Sequence, residues 1–191
     1  MEVKNEKIIA AYQSADESGK KLLEGLFPGM NLNKKDERPI TERIKTFEDA
    51  MEALGAGNRL VEEYIAVRDK LQTDEGDLIA YLKLRIAVAA LNEGWEHEFT
   101  EDEIRWYPWH YLWTAEELEE TDEEWKKENA LMPVDDYVTE YAGFAAANSY
   151  FAPSNSPANI GSHICLKNSE LATYCGKQFI NLWADLKLLR K

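Results

Sequence analysis

Residues 78–92, LIAYLKLRIAVAALN, are the part of the chain from which the fold is best inferred. Their apolar side chains cover nearly the whole circumference of an α-helix, which is typical of a helix buried on most of its sides. Asp77 stands where it can cap the start of this helix, and Gly94 lies just past its end. We therefore expect residues 78–92 to form the central helix of the core.

The sequence before this helix predicts shorter helices. Apolar residues with helical spacing stop before Pro28, and the polar segment that follows has the composition of a linker. Thr46 then begins a helix that Gly55 ends. We therefore divide the chain into a helical N-terminal segment with its linker, residues 1–38, and an α+β domain, residues 39–191.

The sequence after Gly94 predicts strands as well as short helices. A Thr-x-x-Glu capping box, in which a side chain and the backbone exchange hydrogen bonds at a helix start, begins at Thr100, Thr114 and Thr121. Aromatic residues favour β-structure, and Pro108 restricts an aromatic strand to a sheet edge or a strand start. The strand candidates are residues 106–113, Tyr137–Phe144 and Ser162–Leu166.

The last predicted element is a long helix that Ser169 can cap. Its apolar residues form one stripe from Leu171 to Leu189, and basic residues near its end complement the helix dipole. Together these elements predict an α+β fold: N-terminal helices followed by a small, mainly antiparallel sheet packed against a buried helix and a long C-terminal helix.

The net charge of the chain argues against two classes of partner. The sequence has 36 Asp and Glu residues against 22 Lys and Arg residues, a formal charge of −14 at pH 7. Such a charge repels phosphate backbones and anionic membranes, so we expect no direct nucleic-acid binding and no membrane association. No apolar run resembles a secretion signal or reaches the roughly 18 residues of a membrane helix. We expect a cytoplasmic or virion-associated protein that is not secreted by a signal peptide.

Most of the excess negative charge lies between Glu96 and Asp136, where 15 acidic residues stand against three basic ones, a balance of −12. A charge run of this kind is commonly the solvated surface of short helices. The alternative is an acidic face that mimics DNA, so that the protein acts as a decoy inhibitor of a basic host protein. Both interpretations stay open at this stage.

The sequence contains no motif for nucleotides, phosphate groups or established metal sites, and we expect no catalytic residue, no metal and no cofactor. The arrangement that most suggests chemistry is His163 with Cys165, which would share a strand face as metal ligands or as a nucleophilic pair. Cys165 and Cys175 both lie among apolar residues, which is typical of small buried side chains. A small Cys/His enzyme is therefore a second alternative.

The candidate binding surface combines an aromatic segment with an uncharged one. On a strand, Trp109, Tyr111 and Trp113 would point to one side, and a row of flat rings can stack on sugars or apolar peptide groups. Residues 145–161 hold no charged side chain and are rich in Asn, Ser, Tyr and Phe, as recognition loops are. The alternatives are that the rings pack on a helix and that the uncharged segment is buried. The candidate binding residues are Trp109, Tyr111, Trp113, Asn148, Tyr150, Phe151 and Asn155.

Four segments resemble those of an uncharacterised protein family encoded by gut Bacteroidetes, their phages and their integrated elements. They are Ile44–Ala50 (IKTFEDA), Leu82–Trp95 (LKLRIAVAALNEGW), Tyr107–Trp109 (YPW) and Gly176–Phe179 (GKQF). The resemblance extends roughly over residues 44–191. It implies a phage or prophage gene product and carries no known chemistry.

These observations together lead us to expect a non-catalytic phage-type accessory or binding protein. It would be virion-associated or would interact with the host, and it would act through contacts with a protein partner or a glycan. Assembly into a homo-oligomer stays open.

Overall fold

The computed structural model of the chain describes residues 5–32, 36–71, 76–98, 100, 102–153 and 162–191. Helices occupy Asn5–Ser14 (α1), Glu17–Leu26 (α2), Ile40–Arg43 (α3), Phe47–Leu54 (α4), Arg59–Arg68 (α5), Gly76–Asn92 (α6), Ala115–Glu120 (α7), Glu123–Glu128 (α8), Ser169–Gln178 (α9) and Ile180–Lys187 (α10). Strands occupy Ile104–Trp113 (β1), Met132–Pro133 (β2) and Gly143–Pro153 (β3), and a 3-10 turn covers Ser162–Ile164. The fold is α+β, as the sequence predicts.

The central element is α6, which buries side chains around most of its circumference. Leu84, Ile86, Ala87 and Leu91 are fully buried, and α4, α5 and α10 all pack against this helix. Gly94 follows the helix with a φ of +86°, a conformation that glycine adopts without steric cost. The prediction of a buried core helix is confirmed.

The C-terminal end of α6 fixes the segment that precedes α9. The side-chain amide of the buried Asn92 donates to the Cys165 carbonyl at 2.9 Å, and its oxygen accepts from the Lys167 backbone N–H at 3.1 Å. Between these two positions, Leu166 exchanges a pair of backbone hydrogen bonds with Trp106 of β1. A polar residue inside the core therefore ties the helical layer to one edge of the sheet.

The sheet has the strand order β1-β3-β2, and both neighbouring pairs are antiparallel. β1 and β3 pair along their full lengths, whereas β2 pairs with the start of β3. The register shifts once: Trp109 lies opposite Asn148, but the next residue, His110, lies opposite Ala146. Ala147 is therefore the extra residue of a β-bulge. Because of this extra residue, the side chains of β3 lie opposite their partners on β1 both before and after the bulge.

Helix α9 covers one face of β1 and β3, which we call the inner face. A methyl group placed at Gly176 would lie 2.7 Å from Pro108 Cβ and 3.2 Å from Ala146 Cβ, so the α9 backbone approaches the strands very closely. Helix α10 lies on the same side, where the Trp183 ring contacts the His110 ring at a centroid distance of 5.4 Å. We call the opposite face of the sheet the outer face.

Two of the predicted strands are wrong. Segment Tyr137–Phe144 joins the sheet from Gly143 onward, and Tyr137 itself makes an isolated bridge to the C-terminal end of the chain. Segment Ser162–Leu166 is a 3-10 turn followed by the bridge at Leu166. Aromatic and β-branched residues favour extended backbone, but they do not specify whether a partner strand lies alongside.

Some helix boundaries also differ from the prediction. The long C-terminal helix is interrupted at Phe179 (φ −112°, ψ 32°), since α9 follows the sheet whereas α10 follows α6. The capping box at Thr114 is present, but the cap of α8 is Asp122 and not Thr121. No helix begins at Thr100, where the described chain instead leads into β1.

The N-terminal helices enclose a small cluster of their own. Ile8, Tyr12 and Leu32 are buried there, and α1 also contacts α4. The division of the chain at residue 38 stays a prediction.

Candidate functional site

The outer face of the sheet brings together the two segments that the sequence offers as a binding surface. Alternation along β1 places Tyr107, Trp109 and Tyr111 on this face. The strand register places Tyr150 opposite Tyr107 and Asn148 opposite Trp109. The uncharged segment is therefore strand β3 as far as Pro153 and not a loop, and its residues 154–161 lie outside the described residues.

Four aromatic side chains on these two strands are between about a third and a half exposed. The exposed fractions are 45% for Trp109, 37% for Tyr111, 51% for Tyr150 and 47% for Phe151. By contrast, Phe144 of β3 and Trp183 of α10 are buried. We call Trp109, Tyr111, Asn148, Tyr150 and Phe151 the aromatic cluster.

The rings of the aromatic cluster pack on one another around Trp109. The Trp109 centroid lies 5.3 Å from that of Tyr150 and 6.5 Å from that of Tyr111, with ring planes inclined by 55° and 62°. The rings of Tyr150 and Phe151 are nearly parallel, at 19° and 5.6 Å. These separations lie within the range of favourable aromatic pairs, roughly 4.5–7 Å. Each exposed ring is thus supported by a neighbour.

The polar groups of the aromatic cluster are neutral. The Asn148 amide donates a hydrogen bond to the Tyr111 hydroxyl at 3.3 Å across the two strands. Along β1 and β3 the one residue with a formal charge is Arg105, and its side chain is buried. The cluster therefore offers stacking and neutral hydrogen bonding within a strongly acidic protein.

Phe151 belongs to the aromatic cluster although its register position lies on the inner face of the sheet. The register places it opposite Trp106, with which its ring makes a tilted contact at 5.5 Å, and so assigns it to the inner face. Its ring nevertheless also lies against that of Tyr150. The aromatic cluster therefore draws residues from both faces of the sheet near the end of β3.

Two candidate binding residues are not part of this cluster. Trp113 lies at the other end of β1, where its ring packs on Trp125 of α8 at a centroid distance of 4.8 Å. Its indole N–H is buried without a hydrogen-bond partner in the described part of the chain. Asn155 lies outside the described residues. The predicted row of three rings is thus reduced to Trp109 and Tyr111.

The inner face contains an electrostatic feature that the sequence analysis missed. The His110 ring stacks on Phe144 at 4.7 Å, and the Lys187 ammonium lies 3.1 Å from its Nδ1. Burial, together with the Lys187 charge, lowers the pKa of His110 to about 3. The imidazole is therefore neutral, with Nδ1 accepting from Lys187. The alternation in β1 predicts that His110 points away from Trp109, but nothing in the sequence predicts the contact with Lys187.

The two cysteines are buried free thiols. Burial raises the pKa of Cys165 to about 11 and that of Cys175 to about 12, which suppresses the reactive thiolate. His163 belongs to the 3-10 turn, so it does not alternate with Cys165 along a strand. Among the residues that the structure describes, no group of three or more His, Cys, Asp or Glu side chains is arranged to hold a metal ion.

Several acidic side chains between Glu96 and Asp136 stabilise helix starts. Glu117 completes the capping box of α7, and Asp122 accepts a hydrogen bond from the Glu124 backbone at the start of α8. Acidic residues also occupy the first turn of each helix, where they complement the positive end of the helix dipole. Part of the negative charge thus has a local structural explanation.

Comparison with known proteins gives no match: neither a family model, nor a curated protein, nor a solved structure is significantly similar to this chain. Within the described ranges, no helix has the length and apolar character needed to cross a membrane.

Proposed function

We propose that this chain is a non-catalytic binding protein that contacts a protein or a glycan through the aromatic cluster. The proposal rests on one observation: a connected set of four rings, three of them on the face of the sheet opposite α9, remains 37% to 51% exposed. Burying a large apolar side chain stabilises a fold by about 1.5–3 kcal/mol, and part of that gain is absent here. A contiguous apolar surface of this kind is often functional.

The arrangement of the rings also suits recognition. Trp109 and Tyr150 are held by neighbouring rings on paired strands, so little side-chain entropy is lost when they contact a ligand. Tyr and Trp supply large contact areas with few rotatable bonds, and Asn supplies adaptable hydrogen bonds. These are the residue types that dominate binding surfaces built on rigid scaffolds.

The biological setting that we propose is that of a phage-type accessory protein, cytoplasmic or virion-associated. The support for it is the resemblance of residues 44–191 to proteins encoded by gut Bacteroidetes and their phages. The neighbouring genes provide the test. Tail or capsid genes would support this setting, whereas defence or anti-defence genes would favour the acidic decoy.

The binding function is tested with one double variant, Trp109→Ala with Tyr150→Ala. Immobilised wild-type protein is exposed to a glycan array and to a host-cell lysate, and bound species are identified by fluorescence and by mass spectrometry. We expect a ligand that the wild type retains and the double variant loses. Far-ultraviolet circular dichroism and a thermal melt establish that the variant is folded.

The matched control is Tyr141→Ala, which removes an exposed ring that precedes β3 and lies outside the aromatic cluster. It should bind as the wild type does. Equal retention of every ligand by the wild type and the double variant would contradict the proposal.

We propose no second function. The acidic helices α7 and α8 use several carboxylates for capping, and the thiols that a Cys/His enzyme needs are buried with raised pKa values. No observation on the described residues therefore favours either alternative over binding through the aromatic cluster.

A further inference from the structure

We infer that the ligand of the aromatic cluster is a neutral saccharide. This inference rests on the proposed binding function and narrows it to one class of ligand. Three properties of the cluster support it: its area, its charge and the arrangement of its polar groups.

The exposed area of the cluster is smaller than a standard protein interface. Four rings that are each about half exposed offer roughly 400 Å² of surface, given that an aromatic side chain has about 150–250 Å² to bury. A standard protein–protein interface buries about 800 Å² on each partner. The cluster therefore suits one or two sugar rings better than a folded partner or a second copy of this chain.

The net negative charge of the protein disfavours binding of a second copy of the chain and binding of anionic ligands. Each copy carries a formal charge of −14, so two copies repel one another unless a large apolar interface compensates. The same field repels uronic and sialic acids as well as nucleic acids, whose bases also stack on aromatic rings. An anionic ligand therefore pays an electrostatic penalty, whereas a cationic ligand finds no carboxylate on β1 or β3 with which to form an ion pair. The chemistry of the cluster itself thus fits a neutral ligand.

The rings and the polar groups of the cluster match the apolar face and the hydroxyl-bearing rim of a pyranose. The C–H groups on one face of a sugar carry a slight positive charge and stack on the negative face of an aromatic ring. The hydroxyl groups at the rim of the sugar donate and accept hydrogen bonds. Asn148 and the hydroxyl groups of Tyr111 and Tyr150 provide neutral donors and acceptors beside the exposed rings.

The inference is tested by isothermal titration calorimetry with neutral tetrasaccharides of glucose, N-acetylglucosamine and mannose. Tetragalacturonate serves as the anionic comparison. We expect saturable binding of at least one neutral tetrasaccharide and none of tetragalacturonate. Trp109→Ala and Tyr150→Ala should each weaken the binding about tenfold, since each removes one stacking surface.

One conservative variant and one control variant show whether the rings or only the fold matter. Tyr150→Phe keeps the ring and should retain most of the affinity that Tyr150→Ala loses. Tyr141→Ala, outside the cluster, should leave the affinity unchanged. Equal affinities for Tyr150→Phe and Tyr150→Ala would show that stacking on this ring does not hold the sugar.

The failure of this inference is distinguishable from failure of the proposed function. If no neutral tetrasaccharide binds at millimolar concentration, or if tetragalacturonate binds equally well, the saccharide inference is overturned. The binding function survives that result if a purified protein ligand binds the wild type and not the Trp109→Ala, Tyr150→Ala double variant. Concentration-dependent dimerisation that the double variant abolishes would also overturn the inference and would identify a second copy as the ligand.

Discussion

The two faces of the β1–β3 pair are built from the same strands, but α9 and α10 lie on the inner face, whereas the rings around Trp109 are partly exposed on the outer face. On the inner face, Phe144 is buried, and Gly176 lets the α9 backbone lie directly on Pro108 and Ala146. On the outer face, the rings around Trp109 pack on one another and remain half exposed. The apolar character of a strand residue therefore does not decide whether it is buried. What decides is whether another element of the chain covers that face.

The small residues of α9 explain why the inner face is sealed so closely. Ala172, Cys175 and Gly176 are buried there, and Gly176 contacts both strands. Small side chains allow a helix backbone to approach a sheet closely, as α9 does at Gly176. Substitutions on each face test whether this difference in packing accounts for the stability of the sheet.

The largest effect is expected from Phe144→Ala. This ring on the inner face is buried and stacks on His110, so its removal leaves a cavity under α9 and α10. The free energy of unfolding should fall by about 3–5 kcal/mol in a urea titration. The matched change Tyr150→Ala, on the outer face of the same strand, should cost far less because that ring is half exposed. Equal losses for the two variants would remove the contrast between the faces.

A smaller effect is expected from Gly176→Ala. The added methyl group would lie 2.7 Å from Pro108 Cβ, so α9 must move away from the sheet or strain its backbone. Overpacking of this kind costs about 1–3 kcal/mol, although alanine favours a helix more than glycine does. The control is Gly25→Ala in α2, where nothing lies within 4 Å of the added group. A stabilised Gly176→Ala variant would show that α9 does not seal the inner face.

The sequence predicts which residues of a strand or helix share a face, but it does not predict which face another element covers. Apolar residues all around α6 predict burial, and alternation in β1 separates His110 from Trp109. The β-bulge at Ala147 and the interruption at Phe179 carry no local signal, because both depend on how distant elements pack. For the same reason, the sequence does not predict that Trp113, unlike Trp109 and Tyr111, packs on Trp125 of α8.

The pH dependence of stability provides a third test of the inner face. His110 has a pKa of about 3 in the folded chain because of burial and the Lys187 charge, against about 6.5 when it is unfolded. Because its pKa is lower in the folded state than in the unfolded state, neutral His110 makes its full contribution to the free energy of unfolding above pH 6.5. This contribution is lost as the pH falls toward 3, since the unfolded state binds the proton first.

At pH 5.5, one unit below the unfolded pKa, the loss from His110 should be about 1.4 kcal/mol. Urea titrations at pH 7.5 and pH 5.5 measure it for the wild type and for His110→Phe, which keeps a stacked ring but does not titrate. The wild type should lose about 1.4 kcal/mol more than the variant between these pH values. Parallel losses in the two proteins would mean that His110 is not buried as a neutral side chain.

The smallest effect on stability is expected in the aromatic cluster, from Tyr150→Ala on the outer face combined with Phe151→Ala, whose ring lies against that of Tyr150. Both side chains are about half exposed, and they make ring contacts with each other, Trp109 and Trp106. The double variant should therefore lose less free energy of unfolding than Phe144→Ala does, although it removes twice as many rings. It should also lose the ligand that the wild type binds. Substitutions in a core reduce stability and binding together, whereas this pair should separate the two measurements. A loss of more than about 4 kcal/mol would place these rings in the core and would leave the outer face without a role in binding.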